Sequence, residues 1–146
     1  MSSRSLRKRN RIERFNEYGV TGGAGQVYDW RRTVTAKTAS FTITQADSGT
    51  VFTNRGDTDV LTITLPTVSD TYTGVQFEAY GVANTALALS AQTAGQLVVK
   101  ADATANSIAY ETSGEIIGAC FRVICDGTSW LVIEQSNETV TPAITT

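Results

Sequence analysis

Histidine is absent from the 146 residues, cysteine and proline occur twice each, and methionine occurs once. The missing imidazole closes several routes at once: Ser-His and Cys-His nucleophile pairs, His-ligated zinc, and the commonest general base at neutral pH. With two cysteines there is no disulfide framework. Cys120 and Cys125 stand five apart in one expected strand, so they point to opposite faces and do not bridge each other. They read as free, buried thiols of a protein made in a reducing cytoplasm. No stretch of about 20 apolar residues is available to cross a membrane. The longest apolar run, Ile116 to Cys125, is interrupted by Arg122 and reads as a buried strand pair. The basic start has no apolar segment behind it, so no secretory signal is expected.

What is present suffices for one domain with an appendage. Apolar residues make up 41% of the chain, and at this length folding buries roughly 68–70% of the unfolded surface. A core without disulfide or metal support is therefore expected. Charge is unevenly placed. Residues 1–32 carry eight basic and three acidic side chains, a net of +5, whereas residues 33–146 carry four and eleven, a net of −7. A basic arm on an acidic body suggests an arm that seeks a negative partner, either nucleic acid or an acidic protein surface.

Three regions follow. Residues 1–32 form a basic arm and linker. Ser5 is placed to cap a short helix from Leu6 to Glu17 that ends near Gly19, with a narrow apolar stripe at Ile12 and Phe15. Such a segment orders on a partner rather than alone. Gly19 to Gln26 reads as a flexible connector; its Gly22-Gly23-Ala24-Gly25 run lacks the Gly-Lys-[Ser/Thr] ending and the preceding apolar strand of a phosphate-binding loop. Residues 33–135 read as an all-β body and residues 136–146, with Pro142, as an extended tail.

The body alternates apolar and polar residues in Ser40–Thr44, Val60–Leu65 and Val75–Ala79, rich in Thr and Val that suit a half-buried pleated surface. Turn residues punctuate these runs, and Asp126-Gly127 between two apolar segments is the clearest hairpin signal. Eight or nine short strands are expected, in a β-sandwich or jelly-roll-like barrel. Phe121 and Trp130 are expected in its core. Ala101–Ala109 is the other helix candidate, and no internal repeat stands out.

Little in the sequence promises chemistry. Asp57 and Asp59 flank a turn and have the oxygens to touch a cation, but an EF-hand loop would need further ligands and a bidentate Glu, so a solvated hairpin tip is expected. Arg55-Gly56-Asp57 spells an integrin-recognition tripeptide, although a strand-to-strand turn asks for the same residues. No nucleophile elbow and no base beside either thiol is evident, so an enzyme is not expected, nor a cofactor, a metal or a small-molecule substrate. The basic cluster Arg4, Arg7, Lys8, Arg9, Arg11 and Arg14, with Ile12, Phe15 and Tyr18, and the junction residues Tyr28, Trp30, Arg31 and Arg32, is the candidate binding element. An acidic body repels phosphate, which favours a protein surface over nucleic acid as its partner.

The phrases Thr38–Thr44, Ala46–Asn54, Leu61–Pro66 and Cys125–Val132 resemble the small β-rich modules of tailed-bacteriophage structural proteins, namely capsid decoration (cement) proteins and the head modules of tail or head fibres. The resemblance spans residues 33–135. It implies a structural virion protein seated on the outer capsid surface, a homotrimer that contacts the major capsid protein and locks capsomers together. The short chain favours decoration over a fibre, whose head module would bind a host receptor. Under this resemblance the basic arm docks between capsomers, with no membrane contact and no direct nucleic-acid contact.

Overall fold

A computed structural model describes residues 31–136 and 141–146. The chain divides into two units, Met1–Arg31 and Arg32–Thr146. The second is all-β. Its strands are β1 (Val34–Ala36), β2 (Phe41–Thr42), β3 (Val51–Thr53), β4 (Leu61–Leu65), β5 (Gln76–Tyr80), β6 (Leu87–Ala91), β7 (Leu97–Val99), β8 (Asp102–Ala105), β9 (Ser107–Tyr110), β10 (Cys120–Cys125), β11 (Trp130–Gln135) and β12 (Ala143–Thr145). They build a seven-stranded sheet, ordered β1-β3-β5-β10-β11-β7-β8, and a five-stranded sheet, ordered β12-β9-β6-β4-β2. The inward residues of both sheets form one core, so the unit is a β-sandwich.

From β1 to β7 the chain changes sheet at every step. Neighbours within a sheet are therefore two strands apart in sequence, and they run parallel: β1 with β3, β3 with β5, β2 with β4, β4 with β6. The chain winds as a flattened coil. The β10–β11 hairpin then inserts between β5 and β7, antiparallel to β5 on one side and parallel to β7 on the other.

A repeated turn sets this coil. Short 3₁₀ turns at Gln45–Asp47 and Asp70–Tyr72 precede β3 and β5. The N–H groups of Ser48 and Thr73 donate to Gln45 and Asp70, and those of Thr50 and Val75 to Asp47 and Tyr72. Gly49 and Gly74 follow with φ of 85° and 86°, a region where other residues cost roughly 1–2 kcal/mol. In each case the strand begins two residues on. The match between Ser48-Gly49-Thr50-Val51-Phe52 and Thr73-Gly74-Val75-Gln76-Phe77 is a short internal repeat, where none was expected.

Period-2 burial fills the core. Leu61, Ile63 and Leu65 of β4, Leu87 and Leu89 of β6, and Phe121 and Val123 of β10 are all buried, each such side chain contributing roughly 1.5–3 kcal/mol. Trp130 is fully buried as expected, and its indole N–H donates to the Pro66 carbonyl at 2.7 Å, so its one polar atom is satisfied inside the core.

Several expectations need correction. The helix candidate Ala101–Ala109 is two strands, β8 and β9, that lie in different sheets. Asn106 is the crossing residue: its N–H donates to Thr145, its carbonyl accepts from Ala91, and its side-chain Oδ1 accepts from Gly95. These bonds override the helix preference of the alanines around it. Twelve strands occur among the described residues, not eight or nine, because several are two or three residues long. Ile116–Cys125 yields one strand rather than a pair. Within the expected tail, β12 pairs antiparallel with β9. Cys120 and Cys125 are unbridged and buried, on opposite faces as their spacing requires, and Cys125 joins the core.

Candidate docking surface

The outward face of the seven-stranded sheet follows from the same alternation. Phe121, Val123 and Cys125 point into the core, which leaves Cys120, Arg122 and Ile124 of β10 outward. Register carries these positions across the sheet. Arg122 stands between Glu78 of β5 and Ile133 of β11, and Ile124 between Gln76 and Leu131. Val51 and Val34 continue the first row through β3 and β1. The face thus has a charged centre flanked by aliphatic residues, of which Ile133 and Val34 are 66% and 63% exposed and Ile124 is 40% exposed.

Charge at the centre is shared unevenly. Glu78 accepts from Arg32 Nη1 at 3.0 Å and pairs with Arg122 Nε at 3.6 Å. Arg32 also donates its Nε–H to the Gly49 carbonyl at 3.2 Å. Two guanidiniums facing one carboxylate leave a local positive charge on a body that is otherwise acidic. These exposed pairs contribute little to stability, at most about 1 kcal/mol each. Arg32, Glu78, Arg122, Ile124, Leu131 and Ile133 surround a groove of about 470 Å³. Such a surface can hold an aliphatic side chain against Ile124 and Ile133 while a carboxylate approaches the partly exposed Arg122 guanidinium.

At one end of the sandwich, Tyr110 of the five-stranded sheet donates its O–H to Glu134 of β11 at 2.8 Å, and Lys100 Nζ lies 2.8 Å from the same carboxylate. Burial works to raise the Glu134 carboxyl, but hydrogen bonds from Lys100, Tyr110 and Ser136 outweigh it and hold the group below its ordinary value. Burial, followed by the bond to Glu134, pushes the Tyr110 phenol far up. This is a cross-sheet brace. Burial also raises both thiols, Cys120 beneath Tyr80 and Cys125 in the core, which keeps them protonated and unreactive.

Of the expected binding residues, Arg4, Arg7, Lys8, Arg9, Arg11, Ile12, Arg14, Phe15, Tyr18, Tyr28 and Trp30 lie outside the described residues. Arg31 is described, and Arg32 is held by Glu78 and Gly49. Glu78, Arg122, Ile124 and Ile133 were not picked out from sequence. Their signal was Arg122 inside an apolar run, which on a half-buried strand marks the outward phase. Arg55-Gly56-Asp57 is a turn between two strands, β3 and β4, as expected, but the solvated hairpin tip expected at Asp57 and Asp59 is not what forms. The turn is a corner between sheets rather than a hairpin tip, and Asp57 is only 7% exposed, so the tripeptide does not present its carboxylate to a receptor.

Among the described residues no group of three or more His, Cys, Asp and Glu side chains is placed to hold a metal ion, and no helix is long and apolar enough to cross a membrane. No family model and no curated protein matches the chain.

Proposed function

We propose that this chain is a structural virion protein that decorates the outside of a bacteriophage capsid and stabilises the shell. The observation that carries the reading is the outward sheet face: an apolar and locally cationic groove on an acidic body preceded by a strongly basic segment. Surfaces of this kind bind other proteins. The basic arm, residues 1–32, docks across acidic ground between capsomers, and the β body forms the homotrimer that the resemblance implies. Three weak arms on one trimer bind together through effective concentration. The shell is stabilised by mass action, because the assembled lattice is bound and its free subunits are not.

Co-sedimentation with empty heads tests this, comparing the full chain with one that begins at Thr33. Loss of binding by the shortened chain, with its β-sheet circular dichroism intact, is expected. Full-strength binding without the arm contradicts the docking role, and no binding by either form moves the protein to a tail or fibre.

A further inference from the structure

Residues 111–118 carry the chain from β9 of the five-stranded sheet to β10 of the seven-stranded one, and hydrogen bonds fix this loop in place. Glu115 donates its N–H to the Thr112 carbonyl, Gly114 donates to Asn84 Oδ1 at 2.6 Å, and Asn84 Nδ2 donates to the Ser113 hydroxyl. Gly118 donates to the Gly81 carbonyl and Ala119 to that of Ile116, which packs so closely on Gly81 that no Cβ fits there. Ile116 is thereby buried, and its neighbour Ile117 is left 63% exposed. A large aliphatic side chain displayed on a fixed loop adds nothing to the core. The same segment carries two carboxylates, Glu111 and Glu115, and no basic residue. It is an acidic, aliphatic knob.

The groove on the outward face of the seven-stranded sheet has the complementary character. Ile124, Leu131 and Ile133 line it, and the guanidiniums of Arg32 and Arg122 share the single carboxylate of Glu78. We propose that the Ile117 loop of one copy of this chain seats in the sheet-face groove of the next. Ile117 packs against Ile124 and Ile133, and the loop's carboxylates lie towards the two arginines. The loop does not fill its own groove. It is fixed beyond the ends of β5 and β10 by Gly81 and Ala119, and Ile124 stands about 13 Å further down β10 from Cys120. A contact between two different patches is heterologous, so it closes a ring or runs on as a filament. The inference rests on the homotrimer of the proposed function for the number of copies, and supplies the surfaces that reading leaves open. A preformed loop loses little freedom on docking. One loop in one groove still buries less than the roughly 1,200 Å² of a stable interface, so association is weak and depends on concentration.

The test is sedimentation velocity of the full chain without capsids, from roughly 1 μM to 1 mM, the range in which weak contacts form. Wild type should climb from monomer towards trimer. Ile117→Asp in the loop and Ile133→Glu in the groove should each weaken association at least about tenfold, through the lost burial of one aliphatic side chain. Both side chains are largely exposed in the single copy, so circular dichroism should show the fold unchanged. Val60→Asp, at a 52% exposed position outside both patches, should associate like wild type. Mixed in equal amounts, Ile117→Asp and Ile133→Glu should form a heterodimer and stop there, because only one intact loop and one intact groove can meet. A wild type that stays monomeric, undiminished association by either patch variant, an equal loss in Val60→Asp, or no heterodimer in the mixture overturns the interface. No capsid enters these measurements, so they are separate from head binding. A chain that saturates heads yet never self-associates removes the interface alone, and one that self-associates yet ignores heads removes decoration alone.

Discussion

Asn54 shows how much one side chain can carry. Its amide bonds to carbonyls and N–H groups of Val82, Ala83 and Thr85 with no exposure to solvent. Asn54→Ala leaves those part-buried groups without their partner, each at up to about 1–3 kcal/mol. A loss of roughly 3–4 kcal/mol in urea unfolding is expected. None of this was legible in the sequence. Before Arg55-Gly56 an asparagine reads as a turn former, and only the fold decides whether its amide faces water or a second loop. Trp130 and Phe121 were legible, because large apolar side chains at strand phase have one favourable place to go.

Among the elements, the β10–β11 hairpin was the plainest to read. Asp126 accepts from the N–H groups of Thr128 and Ser129, and Gly127 adopts φ of 91°. That chemistry is local, so the residues declare it. The coil of parallel strands was not legible. Alternation says which way a side chain points but not which strand lies beside it, and strands as short as Phe41–Thr42 carry almost no periodicity. Glycine substitutions separate the two kinds of constraint. Gly74→Ala meets open space but a positive φ, and should cost about 1–2 kcal/mol. Gly81→Ala has an ordinary φ but drives its Cβ into the Ile116 carbonyl, and should cost about 2–3 kcal/mol; chemical denaturation of both variants checks the order. Ile133→Glu belongs to the outward face. It should leave stability within about 0.5 kcal/mol of wild type while weakening capsid binding severalfold, measured by co-sedimentation. Equal binding would remove the sheet face from the interface.

At the scale of the whole molecule, charge organises behaviour. The carboxyls of Glu134, Asp102 and Asp126 all sit below their ordinary values: Glu134 through Lys100, Tyr110 and Ser136 acting against burial, Asp102 through Thr146 and Thr104, and Asp126 through the N–H groups of Ser129 and Thr128. Groups lowered in the folded state stabilise it at any pH above their unfolded values and lose that contribution as pH falls through the folded ones. Stability should therefore hold through neutral pH and decline from about pH 4.5, the ordinary value for Glu134, downward. Thermal melts from pH 7 to pH 3 show this, and Glu134→Gln should flatten part of the decline. The opposed charges of residues 1–32 and 33–146 were visible from composition alone, and they carry the expectation of a partner that is acidic where the arm lies.

That partner is best sought by counting. Purified full-length protein is added in excess to cognate empty heads, unbound protein is removed by sedimentation, and bound copies per head are measured by quantitative mass spectrometry against the major capsid protein. Saturation at hundreds of copies, in fixed ratio to the shell subunits, is the expected result for a decoration protein. Saturation at a handful of copies, or none, contradicts shell decoration.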